Sequence, residues 1–172
     1  MKGDLSTLKK VCAYGSKVML AGTFVLLAIA IAVFALGISS FFWEGGDDLL
    51  SGILGFDVEP ASDLKVAACF MEYVFVFLLA TETVRRIYLV MVSIQKEHSP
   101  FNETNTDIVK TLSQIYLGAS VVLLVIDILG ERGVASAAFM FFGCILLSVV
   151  LYIFALIIRY GAVLQDESDH TL

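Results

Sequence analysis

The chain has 172 residues, of which 59% are apolar, against about 45–50% in an ordinary soluble domain. Charged residues make up 16%, mean hydropathy is +0.90, and the apolar residues are concentrated in four long blocks. This composition excludes a disordered chain, a disulfide scaffold and an ordinary soluble globule. The net charge of −6 also argues against direct binding to nucleic acid.

Each apolar block is long enough to cross a bilayer, which takes about 20 apolar residues in a helix. The first block covers 18–42 and is followed at once by Trp43, which is suited to anchor the helix at the membrane interface. The others cover 66–84, 112–129 and 134–158. Because backbone groups in hydrocarbon must pair within their own segment, spans of this length predict helices. We therefore predict an all-α integral membrane four-helix bundle, with a single domain over residues 1–172.

The distribution of Lys and Arg predicts the orientation of these spans, because cytoplasmic segments are enriched in both residues. With the N-terminus inside, only Lys65 and Arg132 lie on the outer side. The inner side then carries the other basic residues: Lys2, Lys9, Lys10, Lys17, Arg85, Arg86, Lys96, Lys110 and Arg159. The sequence thus predicts a multi-pass protein of the cell membrane with both termini in the cytoplasm.

Three connections join the spans. The outer loop Glu44–Asp63 is acidic, and its apolar residues between 49 and 56 predict a short amphipathic turn on the membrane. The inner linker, 85–111, is expected first to continue the second helix through Val92. It then turns at Ser99-Pro100-Phe101 and restarts, with Asn102 or Thr104 as the N-cap. The third and fourth spans are separated only by residues 130–133, which predicts an antiparallel hairpin.

Ionisable residues inside the membrane are the first place to look for function. Glu72 lies about two turns into the second span, and Asp127 lies in the last turn of the third span. Both are expected at a similar depth towards the outer face, where they would form a shared polar or proton-binding site. The alternative is structural: Glu72 is protonated or hydrogen-bonded to a neighbouring helix, and Asp127 reaches the outer headgroups.

A third acidic residue in the second span has an evident partner in the sequence. Glu82 is followed at i+3 and i+4 by Arg85 and Arg86, a spacing that places all three side chains on one helix face. We expect a self-compensated charge cluster near the inner interface.

No enzyme motif is recognisable in the chain. His98 and His170, its two histidines, lie in predicted inner segments, so no span offers a Ser–His pair. Cys12, Cys69 and Cys144 are widely separated, without the spacing of a metal site, and are expected to be buried as small apolar residues. The sequence therefore predicts a non-enzymatic protein without a metal or cofactor.

One helix-packing signal is visible in the first span. Small residues recur there on one face, at Ala21, Ala28, Ala32, Ala35 and Ser39. Small residues let helix backbones approach closely in lipid. The sequence favours another span of the same chain as the partner of this stripe, and a second protein, including a second copy of this chain, is the alternative.

Two strings at the inner side resemble a known family. The linker string Ser99-Pro100-Phe101, with Asn105 and then Leu112, resembles the family's G-x-P-F-…-N motif. The tail Gly161-Ala162-Val163-Leu164-Gln165-Asp166-Glu167-Ser168-Asp169-His170-Thr171 resembles its closing pattern G-x-x-L-Q-x-E-x-D-x-T. The family is the bacterial and archaeal four-helix membrane proteins grouped as domain of unknown function 2975. His98 departs from it, because the family usually has glycine there.

The resemblance implies a four-helix membrane protein and a partner, since the family is often encoded beside a small helix-turn-helix protein, but it implies no activity. The leading hypothesis is a membrane regulator or accessory subunit that engages a cytoplasmic partner. The tail acids Asp166, Glu167 and Asp169 would dock a basic surface. In the alternative interpretation residues 165–171 cap the fourth helix and fold on the linker, for instance on Lys96 or Lys110. Because the fourth helix is expected to run past Arg159, Leu164 is expected to lie near Phe101. A small-solute or ion transporter that uses Glu72 and Asp127 is the rival function.

Overall fold

The structure is a computed structural model that describes residues 2–39, 42, 51–52, 62–97, 99–131 and 133–170, with the backbone alone at 2–6, 97 and 169–170. Over these ranges the chain is all-helical. The four long helices are α1 (Lys2–Ser39), α2 (Asp63–Glu97), α3 (Glu103–Leu129) and α4 (Val134–His170). All four contain a segment long and apolar enough to cross a membrane. The predicted all-α, four-helix architecture is therefore confirmed.

Local hydrogen bonds mark the helix ends. Ser62 precedes α2, where its carbonyl and hydroxyl oxygens accept from the backbone N–H of Lys65 at 2.9 and 3.3 Å. Asn102 is the N-cap of α3, because its Oδ1 accepts from the backbone N–H of Asn105 at 2.6 Å. Of the two predicted caps, Asn102 is thus correct and Thr104 is wrong. At the far end Gly130 caps α3, and Glu131 takes a left-handed conformation with φ of 51°.

The helices extend beyond most of the predicted spans. The second helix continues past Val92 to Glu97, as expected, and α4 continues past Arg159 to His170. The first helix is described from Lys2 to Ser39, and Phe42 lies in a turn. At 37 residues, α4 is about 55 Å long, well over the roughly 30 Å of a bilayer core. The lengths of α2 and α4 are therefore not set by their apolar blocks alone.

Each helix packs mainly on its neighbour in the chain: α1 on α2, α2 on α3, and α3 on α4. Within the described ranges no other pair of helices forms an extended interface, so α1 and α4 do not pack against each other along their length. The predicted α3–α4 hairpin is confirmed. We call the end of the molecule that carries residues 130–133 the hairpin end, and the end that carries residues 99–102 the linker end.

Glycines form much of the α1 surface that meets α2. A Cβ added to Gly37 would lie 2.9 Å from Phe70 Cγ, and one added to Gly15 would lie 3.0 Å from the Met91 sulfur. Gly22 faces Val84 in the same way, at 3.6 Å. These contacts run in opposite directions along the two helices, which are therefore antiparallel.

The small-residue stripe predicted as the intramolecular interface of α1 is instead exposed. Ala21, Ala28, Ala32, Ala35 and Ser39 all lie on the outer surface of the helix. The expectation of a partner within the same chain is therefore wrong. The physical reason is that glycines permit a closer backbone approach than alanines, and α2 packs on the glycine face.

Two further expectations concern other parts of the chain. The acidic outer loop and its amphipathic turn lie outside the described residues, apart from the helical Ser51 and Gly52 and from Ser62 and Asp63. The three cysteines Cys12, Cys69 and Cys144 are buried and form no disulfide, in keeping with their interpretation as small apolar residues.

Candidate functional site

The linker and tail strings meet at the linker end. The ring of Phe101 lies on Gly161 so closely that a Cβ there would be 2.9 Å from Phe101 Cγ. Ser99 Oγ donates a hydrogen bond of 2.7 Å to Gln165 Oε1. Residues far apart in the sequence thus form a single surface, which we call the linker–tail surface and define by Ser99, Phe101, Gly161 and Gln165.

The linker itself is held by a network of asparagine and serine side chains. Asn102 Nδ2 donates to Ser93 Oγ at 3.1 Å and to the carbonyl of Ser99 at 3.2 Å. Asn105 Nδ2 donates to the carbonyl of Pro100 at 3.0 Å, and Asn105 is fully buried. The turn is therefore fixed to α2 on one side and to α3 on the other. Pro100 and Asn105 act in positioning the linker rather than in presenting a surface.

The other candidate interaction residues belong to the tail, and they differ in exposure and in whether the structure describes them. Leu164 is 48% exposed, and the contact with the linker is made by Gly161 and Gln165. The expectation that Leu164 packs near Phe101 stays a prediction. Glu167 is exposed on α4, Asp169 lies in its last turn, and Thr171 falls outside the described residues.

A charged cavity lies beside the linker–tail surface, between the first half of α3 and the second half of α4. Its volume is about 570 Å³, within the roughly 300–1,000 Å³ of small-molecule sites. Both signs of charge line it: Glu103, Asp107 and Lys110 come from α3, and Arg159 and Asp166 come from α4. The sequence offered the approach of the tail to Lys110 as an alternative, but it did not predict a cavity that Asp107 and Arg159 share with them.

Glu72 and Asp127 are both buried, with 5% and 1% of their surface exposed. A hydrogen bond of 3.0 Å between the hydroxyls of Thr83 and Tyr116 fixes how α2 and α3 align. Each carboxyl residue lies about three helical turns, or roughly 16 Å, from that bond towards the hairpin end. Because α2 and α3 run antiparallel, Glu72 and Asp127 lie at the same level along the two helices. Three whole turns return to the same helix face, so Glu72 lies on the face of α2 that carries Thr83, and Asp127 lies on the face of α3 that carries Tyr116.

The predicted charge cluster on α2 is confirmed. Glu82 accepts from Arg85 Nε and from Arg86 Nε, each at 2.7 Å, and from Arg85 Nη2 at 2.7 Å. The three side chains keep part of their surface exposed. They compensate one another within a single helix turn, so the cluster needs no residue from another helix.

Besides the Thr83–Tyr116 bond, sequence reasoning missed two further polar contacts between helices. Gln95 Nε2 on α2 donates to the Cys12 carbonyl at 2.9 Å and to Ser16 Oγ at 3.1 Å on α1. Ser113 on α3 and Ser148 on α4 each donate to the other's backbone carbonyl, at 2.9 and 2.8 Å. Serines inside the apolar blocks were a signal for the second contact only, because polar side chains in lipid hydrogen-bond between helices. Ser16 and Gln95 lie outside the blocks.

The described residues contain no group of three or more His, Cys, Asp or Glu side chains arranged to hold a metal ion. In comparisons with known proteins, no family model, no curated protein and no solved structure matches the chain. The resemblance drawn from the linker and tail strings therefore stays a prediction, and the function has to be argued from the contacts of the chain itself.

Proposed function

We propose that the protein is an integral membrane protein with four spans and with both termini and the linker in the cytoplasm. The four long apolar helices support insertion. The excess of Lys and Arg at the linker end supports the orientation, because Lys9, Lys17, Arg85, Lys110 and Arg159 all lie on that half of their helices.

Within the membrane, the protein serves as a non-enzymatic regulator or accessory subunit that engages a cytoplasmic protein. The observation that carries this proposal is the linker–tail surface. Its contacts bring the two strings that resemble a family motif onto one side of the molecule, through Phe101 on Gly161 and Ser99 on Gln165. A surface built from two distant segments responds to a partner as a unit, since moving one segment disturbs the other.

The charge of the adjacent tail favours a basic partner. Asp166 and Glu167 are exposed on α4 one turn beyond Gly161, and like charges there would repel an acidic partner. A small helix-turn-helix protein, which carries a basic face for nucleic acid, fits this requirement and is the partner that the resemblance implies. The membrane protein would then hold such a partner at the bilayer without contacting nucleic acid itself.

The test is co-purification from detergent with the full-length protein as bait. Three baits are compared: the parent, a Phe101→Ala/Gln165→Ala variant that removes both linker–tail contacts, and a Phe139→Ala control near the hairpin end, where Phe139 is 77% exposed. We expect a basic cytoplasmic protein to be retained by the parent and the control and lost from the double variant. Equal retention by all three baits would overturn the linker–tail surface as the docking site.

A second candidate function is favoured by the burial of Glu72 and Asp127 at one level of α2 and α3. Buried carboxyl groups within a membrane are typical of proton or cation pathways. Against transport stands the continuity of α2 and α3, since transporter sites commonly use broken helices. Flux into proteoliposomes that is abolished by Glu72→Gln and kept by Met71→Leu would favour transport, whereas equal flux in both would exclude this role of Glu72.

A further inference from the structure

The charged cavity between α3 and α4 lies where the membrane surface is expected. Ser113 and Ser148 are level with each other, because their hydroxyls and carbonyls are hydrogen-bonded. Lys110 lies about one turn from Ser113 towards the linker end, and Tyr152 lies about one turn from Ser148 in the same direction. Arg159 follows roughly 10 Å further along α4. Along α4 the cavity therefore runs from Tyr152, in the apolar part of the helix, past Arg159 to Asp166.

Basic residues of the other helices lie near the same level. Gly15 packs on Met91, which aligns Lys17 of α1 with the α2 turn that follows Arg85 and Arg86. The Thr83–Tyr116 hydrogen bond aligns that turn with Lys110 of α3. A ring of cations at one depth is typical of the cytoplasmic interface of a membrane protein. The cavity thus opens at headgroup depth in the proposed orientation.

The lining of the cavity combines the two charges of a zwitterion with an apolar wall. Lys110 and Arg159 supply cations. Glu103, Asp107 and Asp166 supply carboxylates, and of these Asp107 lies within one turn of Lys110 on α3. Tyr152 and Leu156 supply apolar surface towards the membrane. Among the described residues, no ion pair joins Asp107, Lys110 or Arg159 to another side chain. Their charges are therefore available to a ligand rather than compensated within the protein.

We propose that this cavity binds the phosphoethanolamine headgroup of a phospholipid of the inner leaflet. Lys110 and Arg159 hold the phosphate, which a guanidinium recognises through paired N–H donors. Asp107 accepts from the primary ammonium, and the acyl chains lie along Tyr152 and Leu156. A purely anionic headgroup fits less well, because the three acids Glu103, Asp107 and Asp166 in the same cavity repel it. The proposal rests on membrane insertion in the orientation given above, but not on the cytoplasmic partner.

The experiment uses the full-length protein reconstituted in phosphatidylcholine bilayers that contain either phosphatidylethanolamine or phosphatidylglycerol. Lipids that stay bound after extraction into detergent are counted by native mass spectrometry. We expect the parent to retain phosphatidylethanolamine over both other lipids. Arg159→Gln and Asp107→Asn should each reduce that retention about tenfold, the loss expected for one charge-assisted hydrogen bond.

Two matched controls remove a charge away from the cavity. Lys17→Gln, on α1, and Glu131→Gln, at the hairpin end, should leave lipid retention unchanged. Soluble phosphoethanolamine is added in a separate arm, and displacement of the bound lipid by millimolar amounts would assign the site to the free compound instead. Insertion is scored independently by flotation of each variant with the vesicles.

Two results would overturn the proposal. Retention of phosphatidylglycerol at least equal to that of phosphatidylethanolamine, with a gain in Asp107→Asn, would identify an anionic lipid site. Equal retention of all three lipids, unchanged in Arg159→Gln, would show that the cavity does not select a headgroup. Neither result depends on the co-purification experiment, so failure of the lipid site and failure of the partner site are distinguishable.

Discussion

Ser113 and Ser148 face each other across α3 and α4, and each hydroxyl donates to the backbone carbonyl of the other residue at 2.9 and 2.8 Å. The two Oγ atoms lie 3.3 Å apart, and both residues are buried. Such reciprocal bonding requires that the two backbones approach closely at this point. It therefore fixes the register of the hairpin and, through it, the position of the tail relative to the linker.

The first prediction concerns this serine pair. Ser148→Ala should lower the free energy of unfolding by about 0.6–1.7 kcal/mol, the range for hydrogen bonds between helices in a membrane, because the Ser113 carbonyl loses its donor. Ser120→Ala is the matched control, since Ser120 is equally buried but bonds only to Leu117 in its own helix. Unfolding is followed by steric trapping in bicelles. Equal losses in the two variants would show that the interhelical bond adds nothing.

The second prediction concerns the contact of Phe101 with Gly161. A methyl group at Gly161 would meet the Phe101 ring, so Gly161→Ala should displace the ring and release the linker. Gly143→Ala, on the same helix, is the control, because no atom lies within 4 Å of the added carbon. Limited proteolysis between residues 96 and 103 should become faster in Gly161→Ala and remain unchanged in Gly143→Ala.

A second pair of variants separates this contact from the predicted role of Leu164. Phe101→Ala should also speed cleavage of the linker, whereas Leu164→Ala should not, because Leu164 is about half exposed and Gly161 makes the contact. Faster cleavage in Leu164→Ala than in Phe101→Ala would favour the sequence-based interpretation, in which Leu164 packs near the linker.

Local signals were predictable from the sequence because each depends on residues close in the chain. The N-cap at Asn102 and the Glu82–Arg85–Arg86 cluster both follow from spacing within one helix turn, and both are present. The continuation of α4 past Arg159 follows from the absence of a helix-breaking residue. Such features do not depend on which helix lies next to which.

The packing faces were not predictable in the same way. In lipid, an exposed side chain is as apolar as a buried one, so apolar periodicity does not distinguish the two faces of a span. The alanine stripe that includes Ala28 is exposed, whereas Gly37 and Gly15 face α2. The hydrogen bond between Ser99 and Gln165 depends on how α2 aligns with α3 and how α3 aligns with α4. The sequence shows no pattern from which these two alignments can be predicted.

The third prediction tests the orientation of the helices. Gly133→Cys should react with a membrane-impermeant maleimide on intact cells, and Glu103→Cys only after permeabilisation. Both positions are exposed, Gly133 at the hairpin end just before α4 and Glu103 at the start of α3. Asn105 is unsuitable as the inner probe, since it is fully buried. The native cysteines are buried as well, so the parent should react little and serves as the control. The reverse pattern of labelling would place the linker outside the cell.

The fourth prediction concerns the buried carboxyl of Glu72. Glu72→Gln should leave the free energy of unfolding nearly unchanged, because glutamine keeps the shape and the hydrogen-bonding capacity of the side chain. Glu72→Leu should lower it by about 1–3 kcal/mol, because polar groups that face a buried residue would then lose their interaction. Met71→Leu is the matched control one residue away, where the side chain is 60% exposed and a change within about 0.5 kcal/mol is expected. If the free energy of unfolding of Glu72→Leu equals that of Met71→Leu, the carboxyl group of Glu72 does not stabilise the fold. Glu72 and Asp127 would then not form a polar site.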